Sequence, residues 1–196
     1  MPRSKSFTRN EISNALLPLF WAYGFSALSM EDIVKLSGIS RHALYAEIGG
    51  KRDLYLSVFG AYNSDVVSPA FSVVEEQGGL ASIRAYFEAQ IRLAEETGLP
   101  GPGCLVGNAA TERAPHDEDV AKAIDAHNQR LQTGFESALS TAEGSELSKA
   151  EREHLAQYLV ISAQGLWAMS RTVSDAAYLY DFTNTMMDLI ERKVQA

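Results

Sequence analysis

Several things are scarce in this chain, and each scarcity removes a class of protein. Among 196 residues there is one cysteine, Cys104, so no intrachain disulfide can staple the fold. No run of about twenty apolar residues occurs, which excludes a membrane-spanning helix and any membrane partner that needs one. The segment from Met1 to Ser6 is polar and lacks the apolar stretch of a signal peptide, so the expected location is the cytoplasm. Four histidines, at 42, 116, 127 and 154, include no metal-binding pair at i, i+4. Phosphate-binding loops, a Ser-His-Asp order and paired-carboxylate motifs are missing too. No enzyme activity, metal or cofactor is therefore expected. Strand-type alternation and internal repeats are also absent, which leaves an all-α chain.

What is present is a succession of helix signals. Thr8-Arg-Asn-Glu11 is a capping box, followed by Ile12, Leu16, Leu17, Leu19 and Phe20 at helical spacing as far as Gly24. Pro18 inside this run predicts a kink or a distorted turn. Ser29 is the next cap, with Asp32 three residues on, and Met30, Ile33, Val34 and Leu36 form a short apolar stripe that Gly38 ends. Ser40 caps a third helix, in which Leu44 and Ile48 lie on one buried face. A helix, a short glycine turn and a second helix make a helix-turn-helix, a unit that lays its second helix in the DNA major groove.

The net charge of −8 at first argues against DNA. It is unevenly distributed. Residues 1–55 hold seven basic and five acidic side chains, whereas residues 56–196 hold ten and twenty. Phosphate neutralisation is local, so the basic end determines DNA affinity and the acidic remainder favours docking by that end alone. Two domains are expected: 1–55 for DNA binding, 56–196 for the rest.

After Gly49-Gly50 a helix starts at Lys51 and carries Leu54, Leu56, Val58 and Phe59. Pro69 and Gly78-Gly79 punctuate the pattern beyond it, and an amphipathic helix spans 80–96. The stretch 97–103, rich in Gly and Pro, reads as loop. Helices follow over 105–113, about 118–141 and, from the capping box Ser148-Lys-Ala-Glu151, to about 171. His116 to Asp119 reads as a helix start. Ser174 or Asp175 caps the last helix, for roughly nine in all. Leu155, Leu159, Ser162, Leu166 and Met169 form one stripe on the last pair, and Leu179, Phe182, Met186 and Leu189 another. These read either as an intrachain pair or as a four-helix interface between two chains. The helix-turn-helix favours the second, because such units commonly read half-sites as dimers.

The pattern from Thr8 to about Phe59 resembles the DNA-binding domain of the TetR family of transcriptional regulators. The resemblance rests on Leu19-Phe20, Tyr23-Gly24-Phe25, Ser29-Met-Glu-Asp-Ile33, Gly38-Ile-Ser40, Leu44-Tyr45, Lys51 and Leu54. In the second part, Gly103-Cys104-Leu105, Asn108-Ala-Ala110 and Ala114-Pro115-His116-Asp117 are similar to one large subgroup. The resemblance implies an all-α homodimer with an N-terminal helix-turn-helix domain and a larger helical ligand-binding and dimerisation domain. It further implies a palindromic double-stranded DNA operator and repression relieved by a small-molecule effector. The chain departs from the family pattern in His42-Ala43, where Gly-Thr is common, in Glu47-Ile48 and in Gly50. Ala43 brings no hydroxyl to a phosphate, and Glu47 repels one unless Arg41 or Lys51 neutralises it.

On the third helix His42 and Ala46 point most nearly outward, with Tyr45 beside them. His42 can bond a base edge and Ala46 can touch a thymine methyl. Arg41 lies nearer the buried edge, where it clamps phosphate. Tyr45 and Lys51 match the family's phosphate contacts, Lys51 at a helix N-terminus. Ser29 and Ser40 complete the expected DNA-binding set. Phe87, Ile91, Phe135 and Trp167 lie on helices expected to surround the effector, and Asn108 and Gln164 are amides on otherwise apolar helices, which need partners if buried. Cys104 joins this set with two readings: a small buried hydrophobe, or a thiolate at a helix start that senses oxidants or electrophiles.

Overall fold

A computed structural model describes residues 7–195, and Arg3 and Lys5, candidates for reaching an adjacent groove, lie outside them. Ten α-helices and no strand occur among the described residues: α1 (Arg9–Tyr23), α2 (Met30–Ser37), α3 (Arg41–Glu47), α4 (Lys51–Tyr62), α5 (Ser68–Gln77), α6 (Gly79–Thr97), α7 (Leu105–Glu112), α8 (Glu118–Ser140), α9 (Lys149–Met169) and α10 (Ala177–Val194). No helix among them is long and apolar enough to cross a membrane.

The starts of these helices follow from local chemistry. Thr8, Ser29 and Ser148 each accept from the backbone N–H three residues on, and Glu11, Asp32 and Glu151 return the bond to the cap N–H. Each box satisfies two of the four donors a helix start leaves open. Gly38 ends α2 at φ 70°, in the left-handed region, and so redirects the chain into α3. The helix α1 is unbroken across Pro18, whose ring faces solvent, so the expected break reduces to one missing N–H donor. At the last helix Ala176 is the cap residue, and Asp175 accepts from Ala177 N at 2.9 Å.

Ile12, Leu16 and Phe20 of α1 meet Ile33, Ile39, Leu44 and Leu54 in one buried cluster, with Tyr55 set edge-on to Phe20 at 5.2 Å. The first half of α4 thus closes the core of α1–α3, and residue 55 falls inside this helix. Pro69 does not interrupt the chain. A single π-helical turn, Asn63–Val67, joins α4 to α5, and Pro69 sits in the first turn of α5, where its missing N–H costs nothing. Further on, Phe71, Tyr86, Phe87 and Phe135 form an aromatic core with ring centroids 5.2–6.2 Å apart. A Cβ at Gly134 would lie 2.5 Å from the Phe71 ring, so glycine is what lets α8 approach this core.

The two expected apolar stripes on α9 and α10 divide differently. Leu159, Ser162, Leu166, Leu179 and Met186 are buried in the chain's own core. The outward apolar face keeps Met169, Phe182 and Leu189 of those stripes and adds Tyr158 and Ile161 on α9 and Tyr178 on α10. The heptad-like spacing is real, but its phase on each helix is set by packing on α6 and α8, which periodicity alone does not reveal.

Candidate DNA-reading head, effector cavity and the joint between them

On α3, Leu44 is buried and Arg41, His42, Tyr45, Ala46 and Glu47 are exposed, with Tyr45 half exposed. His42, Tyr45 and Ala46 therefore share one solvent-facing side of a short helix whose other side is fixed in the core. The remaining candidates are already engaged. Arg41 Nη2 lies 2.6 Å from Glu31 Oε1, not against Glu47. Its attraction holds Glu31 below the usual carboxylate range. Ser29 and Ser40 hydroxyls serve as helix caps, accepting from Asp32 N and Ala43 N. Lys51 is engaged by an aromatic ring. Its ammonium lies 4.2 Å over the Phe25 ring, half-buried, and burial pulls its pKa down.

Phe25 belongs to a joint that sequence reasoning missed. Arg113 also lies over this ring, at 4.4 Å. Next to it, Glu112 at the end of α7 accepts from Phe25 N at 2.9 Å and Ser26 N at 2.7 Å, in the turn between α1 and α2. Burial pushes the Glu112 carboxyl up, but these two N–H donors outweigh it and hold the pKa below its ordinary value. Arg52 of α4 binds Asp117 through Nε and Nη2, each at 2.8 Å, and Asp119 at 2.6 Å. The guanidinium holds the buried Asp117 carboxyl at about 2. Trp21 Nε1 donates to Gly103 O at 2.7 Å, and the Trp21 ring stands edge-on to Tyr62 at 5.1 Å. None of these pairs is close in sequence, so only their unusual types, an Arg and a Trp on otherwise ordinary helices, hinted at a role.

Behind this joint lies a cavity of about 400 Å³ between α7, α8 and α9. Cys104, Asn108, Gln164 and Trp167, expected around an effector, all line it. Phe87, Ile91 and Phe135 do not. They are fully enclosed in the aromatic core, because the apolar faces that carry them meet one another and leave no space for a ligand. Two lining residues that the sequence did not single out are Asn128 and Arg171. Gln164 Nε2 donates to Asn128 Oδ1 at 3.2 Å, while Gln164 Oε1 is buried without a donor among the described residues. Asn108 Nδ2 donates to Pro102 O at 2.8 Å.

Cys104 caps α7, accepts from Gly107 N at 3.5 Å and lies 3.4 Å from the Tyr62 hydroxyl. Burial pushes its thiol pKa up, and no basic side chain contacts it, so the helix-start position does not yield a thiolate at neutral pH. Its burial suits the small buried hydrophobe better than the sensing thiolate.

A helix-turn-helix with a free recognition face, set on a helical body that holds a cavity, defines a class: DNA-binding regulators. Residues 12–58 match the bacterial regulatory proteins of the tetR family, and residues 79–186 match the tetracyclin repressor-like C-terminal domain. The chain belongs to the TetR family, and so is a DNA-binding transcriptional regulator rather than an enzyme. It is 26% identical to the HTH-type transcriptional regulator YezE of Bacillus subtilis (strain 168), over 97% of this chain and 100% of that protein. It is 25% identical to the HTH-type transcriptional repressor ComR of Escherichia coli (strain K12), over 95% and 90%. Among solved structures, a regulatory protein TetR from Rhodobacter sphaeroides superposes with a TM-score of 0.80 at 20% identity, over 90% of this chain and 95% of that one. A cysteine mutant of the regulator CifR, complexed with 26-bp operator DNA, gives 0.78 at 19%, over 95% and 98%.

Proposed function

We propose that this protein is a cytoplasmic, homodimeric repressor, released from a palindromic operator by a small molecule held in the α7–α8–α9 cavity. The observation that carries this reading is the placement of α7. Val106, Gly107, Asn108, Ala110 and Thr111 line the cavity, and the next residue, Glu112, grips the backbone of the α1–α2 turn. An occupant that moves α7 must pull on the head or release it. Helix α4 is coupled at both ends, through Arg52 to Asp117 and through Tyr62 to Cys104. The effector acts by binding one arrangement of this joint more tightly than the other. Half-sites recur at about 34–36 Å or a multiple of it, so a small change in head separation prevents simultaneous docking. Residues 1–55 form the head, with His42, Tyr45 and Ala46 facing the groove and Arg41 at its edge. Repression, rather than activation, is supported by the relative named as a repressor.

A mobility-shift assay on a duplex selected from a random pool tests the DNA face. His42→Ala and Tyr45→Ala are each expected to weaken binding about ten-fold, since a base or phosphate contact is worth roughly 1–3 kcal/mol. Both side chains are exposed, so circular dichroism should not change. Undiminished affinity in both variants overturns the assignment.

A further inference from the structure

We propose that the cavity takes a small organic anion: a carboxylate on an apolar ring or chain that also carries one N–H or O–H. This inference rests on the reading of the cavity as the effector site and names the chemistry of its occupant. The walls are largely apolar, with Val106, Ala110, Ile124, Trp167 and Ala168 among them. A single charged side chain lines the cavity, that of Arg171, and no carboxylate does. Unlike Arg52, Arg113 and Arg130, Arg171 has no ion pair among the described residues. Its stem is nevertheless placed. A Cβ at Gly103 would lie 2.8 Å from Arg171 Cγ, so the stem rests on bare glycine backbone. The residue is exposed, which puts the guanidinium where a carboxylate can be bound without full dehydration.

The second polar requirement comes from Gln164. Its amide is oriented by the bond to Asn128, and that orientation leaves Oε1 buried with no donor. A buried acceptor without a partner is costly, and a donor on the occupant removes the cost. Gly107, also a lining residue, leaves room for this atom: a Cβ there would lie 2.8 Å from Gln164 Oε1 and displace it. A cation finds no carboxylate in this cavity and meets the charge of Arg171. A volume of about 400 Å³ accommodates a ligand of one or two rings.

Three probes share one ring system and one N–H and differ in head group: indole-3-acetate, indole-3-acetamide and tryptamine. Calorimetry on the full chain should rank the acetate first, on the order of ten-fold tighter than the amide, with tryptamine weakest. Arg171→Gln should bring acetate and amide to the same affinity, and Gly107→Ala should weaken both alike. Thermal midpoints of the free variants, expected near that of the parent, show that they are folded. Equal binding of acetate and amide, a preference that survives Arg171→Gln, or binding of none of the three overturns the inference. If the acetate binds as described but does not release the selected duplex, the effector reading fails while the ligand chemistry stands.

Discussion

His127 illustrates what a single half-buried side chain does to this molecule. It lies on α8, and burial, reinforced by the charge of Arg130, lowers its pKa from 6.5 to about 4. The unfolded chain therefore takes up this proton first as the pH falls. The neutral imidazole imposes no penalty above about pH 6.5, and stability is lost progressively from there down to about 4. At pH 4.5 the loss amounts to roughly 2–3 kcal/mol. Denaturant unfolding at pH 7 and pH 4.5 should show this loss in the parent chain and a clearly smaller one in His127→Gln. An identical pH dependence in the two would assign it to other groups. At this scale the sequence was most legible where chemistry is local. The caps Thr8, Ser29 and Ser148 act over three residues and were read directly. The carboxylates that Arg52 binds and the cavity that Arg171 lines lie across the fold, and nothing in their neighbours along the chain announces them.

At the level of elements, α7 is the piece that joins the cavity to the helix-turn-helix. It is only eight residues long, yet residues from Val106 to Thr111 line the cavity and Glu112, the last residue, holds the head by two charge-assisted hydrogen bonds. Glu112→Gln keeps the shape and removes the charge, and it should cost about 1–3 kcal/mol of stability. More tellingly, it should leave ligand binding in the cavity unchanged while weakening the release of DNA by that ligand. Comparing calorimetry with mobility shifts at saturating ligand measures the two separately. Unaltered release would place the coupling in α4 alone. The existence and type of α7 were evident from Leu105-Val106 and the preceding glycines. Its role was not, because coupling depends on what stands at each end of the helix.

At the scale of the whole molecule, α9 and α10 present an apolar face that no other described residue covers. Ile161 is 71% exposed, and Tyr158, Met169, Tyr178, Phe182 and Leu189 accompany it on α9 and α10. Such a patch on two adjacent helices suits a four-helix contact with a second copy. Ile161→Glu should leave the monomer folded, since the side chain contributes little to the chain's own core. Sedimentation at micromolar concentration should then show a shift from dimer to monomer, with DNA affinity falling far more than a single lost contact explains. A dimer that persists in this variant would move the interface elsewhere.

Composition, periodicity and capping by themselves determined the all-α class, the helix-turn-helix and its exposed reading face, since each depends on residues within about one helical turn of one another. The same local signals marked Asn108 and Gln164 as amides in need of partners. Three things were decided only in three dimensions: which side of α9 and α10 stays outside, which aromatic residues close into core instead of lining a cavity, and which charged groups lock the head to the body. Each depends on contacts between distant segments: Phe25 and Glu112 are 87 residues apart, and Arg84 and Asn184 are 100. Packing against distant helices sets the phase, the space and the ion pairs there, and no periodicity along the chain encodes it.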